Sequence, residues 1–309
     1  MDKLLHGLPN LRVLHIDAPQ SHQERYHIQG LTWAYKFPQL TDFALSIFYP
    51  ASAQDVASFL SNHPNIRTLM LNAEGEEPIP NLASLFPKLE ALSMPEWGKT
   101  TAEDYTELLS ANPPRKVTYL KSASGFLPYN EYDCHLIPQY APSLRCLELT
   151  PNIQDIRDEN NHYRTMRTLF APMPDLSELA IHFSSGGTKE PRYREDYYPK
   201  PLPMDEEILS KIIKALPKSS NLRLQVLRMK DLDDGKGLPL DVQSSTFASL
   251  RESIPSSLKV LQWEIDNLIV RYEFEPGQSV RIVDLPRAEK QWPDTLPWTN
   301  ASILKHLRS

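Results

Sequence analysis

A short phrase of apolar and polar positions recurs along the chain and dominates its hydrophobic pattern. Its full form is a proline, one further residue and three apolar positions spaced as L-x-x-L-x-L, as in Pro9-Asn10-Leu11-Arg12-Val13-Leu14-His15-Ile16. The first apolar residues of the copies are Leu11, Leu40, Ile66, Leu89, Val117, Leu144, Leu176, Leu224 and Leu258. The copies at Val117, Leu224 and Leu258 lack the proline at this spacing. A unit that returns in this way indicates a repeat architecture.

The spacing inside each copy predicts one β-strand, because alternating apolar residues place one face of an extended chain in a core. A buried spine is predicted from the shared position of Leu14, Leu69, Leu92, Leu147, Leu179, Leu227 and Leu261. Helical periodicity between copies predicts helices over 52–62, 102–111, 204–216 and 246–253. Strand, helix and strand at this spacing give parallel strands with right-handed crossovers. The predicted fold is an α/β solenoid, a curved horseshoe with its parallel strands on the concave face and its helices outside.

The repeated phrase also predicts the domain organisation. Residues 1–264 are expected to form the solenoid, and residues 265–309 to form a capping segment that opens with strands at 268–274 and 280–283. The apolar pair before Pro9 matches the pairs before Pro64 and Pro113, so residue 1 is expected to lie inside a repeat that begins further upstream. One long gap between copies predicts an inserted loop at 186–203.

Composition narrows the classes of partner and compartment. The net charge of −6 and the absence of a basic run argue against nucleic acid and anionic membranes as partners. No apolar stretch approaches the ~20 residues of a membrane span. Two cysteines, Cys134 and Cys146, cannot build a disulfide framework, which favours a reducing compartment, either the cytoplasm or the nucleus.

Few residues suggest catalysis, and we expect no enzyme activity, no cofactor and no metal site. The most reactive-looking pair is Cys134-His135, but a cysteine nucleophile needs a base placed by the fold, and packing roles for both cysteines are the simpler interpretation. The other candidates are interpreted as loop, turn or helix-terminus residues: His22 and His27, Gly186-Gly187, Asp233-Asp234 and Glu206-Glu207.

Binding is expected on the concave face and on the inserted loop. One outward position in each copy forms a stripe: His15, Ala44, Met70, Ser93, Lys121, Glu148, Ala180, Arg228 and Gln262. Its charges have both signs, which suits a protein partner better than nucleic acid. The candidate protein-binding residues are His15, Met70, Lys121, Glu148, Arg228 and Gln262 on the stripe and Arg192, Tyr193, Arg194, Tyr197 and Tyr198 in the loop.

The repeated units resemble leucine-rich repeats over roughly residues 3–264. The Phe-Pro-x-Leu-x-x-Leu form, seen at Phe86, resembles the repeat region of fungal F-box proteins, and the Trp-Pro and Leu-Pro-Trp of the tail are similar to the C-terminal ends of such chains. This resemblance implies a repeat region that recruits substrates to a cullin-type ubiquitin ligase. It implies a Skp-type adaptor as a second partner only if an F-box precedes the repeats. A stand-alone leucine-rich-repeat protein, acting as an inhibitor, a sensor or a GTPase regulator, remains the alternative.

Overall fold

The computed structural model describes residues 8–17, 35–47, 53–73, 79–93, 108, 116–122, 142–149, 170, 173–183, 206–216, 223–231, 240–265, 268–275 and 280–285. The chain divides into two compact units. The first contains residues Met1–Ser122, Gln139–Leu144 and Asp294–Ser302, and the second contains Ala123–Pro138, Arg145–Pro293 and Ile303–Ser309. The protein is a mixed α/β protein whose described strands are mostly parallel.

The first unit carries five parallel strands that pair in chain order. They are β1 (Val13–Asp17), β2 (Asp42–Ile47), β3 (Thr68–Ala73), β4 (Ala91–Ser93) and β5 (Tyr119–Ser122). Helix α1 (Ala53–Ser61) connects β2 to β3, and the single turn α2 (Leu82–Leu85) lies between β3 and β4. Each of these strands comes from one copy of the repeated phrase, as the alternation predicted.

The second unit begins with four parallel strands and ends with an antiparallel hairpin. The parallel strands are β6 (Cys146–Leu149), β7 (Glu178–Phe183), β8 (Val226–Asp231) and β9 (Val260–Ile265), and the hairpin adds β10 (Leu268–Glu273) and β11 (Arg281–Leu285). Helices α3 (Glu206–Ala215) and α4 (Ser245–Ser253) precede β8 and β9. Helix α4 begins at Ser244, whose hydroxyl accepts the Phe247 N–H at 3.0 Å, a standard N-cap.

A tight turn explains the proline of the phrase. The backbone N–H of the first apolar residue donates to the carbonyl three residues earlier, for example Leu11 to Leu8, Leu40 to Phe37 and Leu89 to Phe86. The proline therefore stands at the second position of a β-turn, where its fixed φ is already correct. In the first four copies the strand begins four residues after this proline.

The residue after the first apolar position makes the same contact in almost every copy. Its carbonyl accepts two successive N–H groups from the next copy: Arg12 accepts from Thr41 and Asp42, and Thr41 accepts from Arg67 and Thr68. The second unit repeats this geometry at Arg145, Ser177 and Gln225. Identical backbone geometry at matched positions shows that the sequence repeat is also a structural repeat.

The helices pack on the leucine face of the strands. The Phe43 ring on β2 lies 5.1 Å from the Phe59 ring on α1, and the Tyr272 ring on β10 lies 6.2 Å from the Phe247 ring on α4. The predicted spine residues Leu69, Leu92, Leu147, Leu179, Leu227 and Leu261 are all buried. Leu14 on β1, the first strand of the described sheet, is only half-buried.

The His63 side chain links two of the β-turns in the first unit, the one that begins at His63 itself and the one that begins at Phe37. Its Nε2 accepts the Phe37 N–H at 2.9 Å, and its Nδ1 lies 2.7 Å from the Phe59 carbonyl oxygen, so Nδ1 carries the proton. Burial lowers the pKa of His63 despite the bond to Phe59, and the charge of Lys36 lowers it further. The neutral imidazole therefore fits this position and the imidazolium does not.

The helix predictions that fall within the described residues are confirmed. Helices α1, α3 and α4 match the predicted segments within two residues at each end. The predicted helix over 102–111 lies outside the described residues except for Leu108, which is helical and buried. Within the described ranges, no helix combines the length and the apolar character that crossing a bilayer requires.

Candidate functional site

The face of the strands opposite the leucines carries the predicted stripe, and we call it the stripe face. In the first unit its residues stand in direct register: His15, Ala44, Met70, Ser93 and Lys121. In the second unit the corresponding row is Glu148, Ala180, Arg228, Gln262 and then Arg271 on the hairpin. The period-two prediction of which residues share this face is therefore confirmed within each unit.

In the first unit the large side chains of the stripe remain partly exposed. His15, Met70 and Lys121 are half-buried, whereas the small residues Ala44 and Ser93 are buried between them. Met70 is thus flanked on both sides by small residues, and its flexible thioether is a suitable contact for a protein partner. The large side chains of this row are therefore partly accessible, and the role of the row in binding stays a prediction.

In the second unit the same face is buried. Glu148 is 1% exposed, Arg228 6% and Gln262 5%, although all three are polar residues on the face opposite the leucine core. These residues were expected to line an accessible concave surface, and their burial shows that they do not lie on a freely accessible one. Charged residues are almost never this buried unless they are paired, so their partners need to be identified.

Their partners form a buried charged cluster centred on Arg228. It consists of Glu148, Glu178, His182, Arg228, Gln262 and Glu264. Arg228 Nη1 lies 3.6 Å from Glu148 Oε1 and 3.8 Å from Glu178 Oε1. Its Nη2 lies 3.4 Å from Glu264 Oε1. One guanidinium therefore faces three carboxyl groups.

Two further polar side chains complete the cluster. The Nε2 of His182 lies 3.5 Å from Glu148 Oε2, and Gln262 Nε2 donates a hydrogen bond to Glu264 Oε1. Below the cluster on the same face, Val226 and Val260 form a buried apolar pair. The buried members of the cluster thus lie next to apolar side chains, and charge interactions are stronger in such surroundings than in water.

Glu178 is the least satisfied member. It is 0% exposed, and among the described residues neither of its carboxyl oxygens has a hydrogen-bond partner. Burial raises the pKa of Glu178 to about 8, because the attraction of Arg228 does not offset it and Glu148 adds repulsion. Glu178 therefore holds its proton at neutral pH, which reduces the excess of negative charge around Arg228.

Arg228 and Cys146 respond to the same surroundings. Burial opposes the charged guanidinium, but the carboxylates of Glu264, Glu148 and Glu178 outweigh it, so the pKa of Arg228 lies above its usual value. Burial, together with Glu178 and Glu148, raises the pKa of the Cys146 thiol well above its usual value. A thiol kept protonated is a poor nucleophile, which argues against catalysis at Cys146.

Sequence reasoning missed Glu178, His182 and Glu264, although a signal for them was present. Glu178 and His182 stand two residues before and after the stripe position Ala180, and Glu264 stands two residues after Gln262. Period two places all three on the stripe face. Extending each stripe position by two residues in both directions would have collected the whole cluster.

The remaining candidates fall into two groups. Glu206-Glu207 stand in the first turn of α3, as interpreted from the sequence. The loop residues Arg192, Tyr193, Arg194, Tyr197 and Tyr198 lie outside the described residues, as do Cys134-His135, His22, His27, Gly186-Gly187 and Asp233-Asp234. In the described part of the chain, no group of three or more His, Cys, Asp or Glu side chains is arranged to hold a metal ion.

Comparison with known proteins adds no assignment. The chain matches no model of a known protein family, and it matches none of the curated proteins.

Proposed function

We propose that this protein is a protein–protein interaction scaffold of the leucine-rich-repeat class, whose partner contacts the stripe face of the first unit. The resemblance to fungal F-box proteins extends the proposal: the repeats recruit a protein for ubiquitination by an F-box-type ligase. The alternative is a stand-alone leucine-rich-repeat protein that binds or regulates its partner without a ligase.

One observation supports a binding role most directly. In the first unit, strands from successive copies present His15, Met70 and Lys121 in one register row, and all three remain partly exposed. Stacked repeats commonly bind partners through such rows, because each strand adds one side chain to a continuous surface. The row combines an imidazole, a thioether and an ammonium group, and this mixture suits a protein surface better than a nucleic acid.

The experiment is affinity capture with the tagged natural chain, followed by quantitative mass spectrometry. Two variants, Met70→Glu and Lys121→Glu, change the accessible row without touching the leucine core. We expect each to reduce recovery of the specific partner by about fivefold or more, since a central interface residue contributes more than about 1 kcal/mol. Co-recovery of a Skp-type adaptor and a cullin would support recruitment, and a partner recovered without them would support the stand-alone alternative.

The control is Glu252→Lys, an equally drastic charge change on the exposed surface of α4 in the second unit. It should leave recovery unchanged. Recovery that is equal for the natural chain, both row variants and the control would contradict binding through the first-unit stripe face.

A further inference from the structure

Glu178 occupies an unusual position for an acidic residue. It begins β7 on the stripe face, in register with Cys146 on β6 and Val226 on β8, both of which are buried. One carboxyl oxygen faces Arg228 at 3.8 Å, beyond hydrogen-bond distance, and Arg228 is also approached by Glu148 and Glu264. A single guanidinium cannot neutralise three carboxylates, so one of them is expected to be protonated when the face is buried.

We propose that Glu178 is a proton-operated switch that makes the local opening of β7 in the second unit sensitive to pH. When β7 is closed, Glu178 binds a proton and stands as a neutral carboxylic acid beside the Arg228 ion pairs. When β7 opens locally and exposes Glu178 to water, the carboxyl group releases that proton and becomes an ordinary solvated carboxylate. This inference rests on the charged cluster alone and is independent of the partner-binding role proposed for the first unit.

The charged and titratable groups around Glu178 come from every neighbouring strand. Cys146 and Glu148 face it from β6, and Arg228 and Lys230 lie on β8. The same face carries His182 on β7, Glu264 on β9 and Arg271 on β10. The test therefore has to separate Glu178 from these neighbours.

The direction of the response follows from proton linkage. The pKa of buried Glu178, about 8, lies above that of the exposed carboxyl group. The buried state is therefore most stable at acidic pH, and its advantage declines as the pH rises towards about 8. Within that range, each pH unit shifts the opening equilibrium by up to about tenfold towards the open state.

The test is amide hydrogen exchange of β7 (Glu178–Phe183) measured from about pH 5.5 to about pH 8 and corrected for the intrinsic pH dependence of exchange. The variant Glu178→Gln keeps the shape of the protonated acid and removes the titrating proton. In the natural chain we expect the opening constant of β7 to rise by up to about tenfold per pH unit through Glu178, and in the variant this part of the rise should be absent. The difference between the two proteins therefore isolates the contribution of Glu178.

Two controls define the result. Strand β3 in the first unit serves as a reference in the same sample, and Glu90→Gln removes an exposed carboxylate that lies outside the cluster. The pH dependence of exchange in β3 should be the same in the natural chain and in Glu178→Gln. The variant Glu90→Gln should leave the pH dependence of exchange in β7 unchanged. Equal pH slopes of β7 in the natural chain and in Glu178→Gln would overturn the proposal. If that variant fails to fold, carboxyl-carbon NMR of the natural chain replaces it: one glutamate titrating near pH 8 supports the switch, and none titrating above about pH 6 overturns it.

Discussion

The stripe faces of the two units are built from the same phrase, yet they differ in burial and in chemistry. In the first unit the row runs His15, Ala44, Met70, Ser93 and Lys121, and its large members are partly exposed. In the second unit Glu148, Arg228 and Gln262 hold the same position and are buried in a network of charges. The alternation of a strand determines the face on which a side chain lies, but not whether that face meets water.

The difference has an energetic consequence. Groups in the first-unit row can exchange water for a partner at little cost, whereas the cluster of the second unit has already lost its water and depends on internal pairing. The first unit is therefore the better candidate for reversible binding, and the second unit is the more sensitive to changes of charge.

The largest expected effect separates an interior strand from the outermost one. Leu147→Asp places an unpaired charge in the leucine core of β6, and its cost of several kcal/mol is comparable with the whole stability of a domain, about 5–15 kcal/mol. Leu14→Asp on half-buried β1 should be much milder. Circular dichroism during thermal unfolding measures both variants, and a natural melting temperature for Leu147→Asp would contradict the buried spine.

The second expected effect contrasts ion pairs of the two units. Arg228→Met leaves buried Glu148 and partly buried Glu264 without this cation, which should lower the free energy of unfolding by about 3–5 kcal/mol. Arg67→Met breaks only the pair with Glu90, in which both side chains are more than half exposed, and should cost at most about 1 kcal/mol. Denaturant unfolding compares the two variants, and equal costs would show that the cluster does not depend on its arginine.

The third expected effect is a pH response of the first unit opposite in sign to that of Glu178. The pKa of His63 is lowered in the folded state, so the unfolded chain binds its proton first as the pH falls. The contribution of neutral His63 to the free energy of unfolding is therefore fully present above about pH 6.5. Below that pH the free energy of unfolding declines by up to about 1.4 kcal/mol per pH unit.

Hydrogen exchange of α1 at decreasing pH measures this response, and His63→Gln, which does not titrate in this range, should abolish it. Strand β9 in the second unit should show the same exchange in the natural chain and in His63→Gln, which confirms that the variant acts only in the first unit. Acid sensitivity that persists unchanged in His63→Gln would assign the effect to another group.

Most of the backbone organisation could be predicted from the sequence because it depends on local periodicity. Each of the nine copies gave a strand where its alternation placed one, and the predicted final hairpin is present as β10 and β11. The short helix α2 was not predicted, since four residues are too few to show a helical period. It follows Asn81, whose φ of 58° is left-handed, a conformation that asparagine tolerates better than most residues.

The charged cluster could be predicted only in part. Period two assigns Glu148, Arg228 and Gln262 to one face, but a polar residue on a strand face is ordinarily expected to meet solvent. Their burial depends on tertiary packing, which no local pattern contains. The distances that place three carboxyl groups around Arg228 depend on the register between strands far apart in sequence.

The terminal hairpin also limits how the repeat array can grow. After β9 the chain reverses, so β10 runs antiparallel to its neighbour, and Tyr272 fastens this strand by accepting the Leu240 N–H at 2.9 Å. A further copy of the phrase requires a parallel neighbour and a crossover, and the reversed strand offers neither. Further copies of the phrase could be added by duplication before β9, because each copy contacts only the copies beside it. They could not be added in the same way after the hairpin. The reversal of strand direction from β9 to β10 thus limits the number of repeat copies at this end of the sheet.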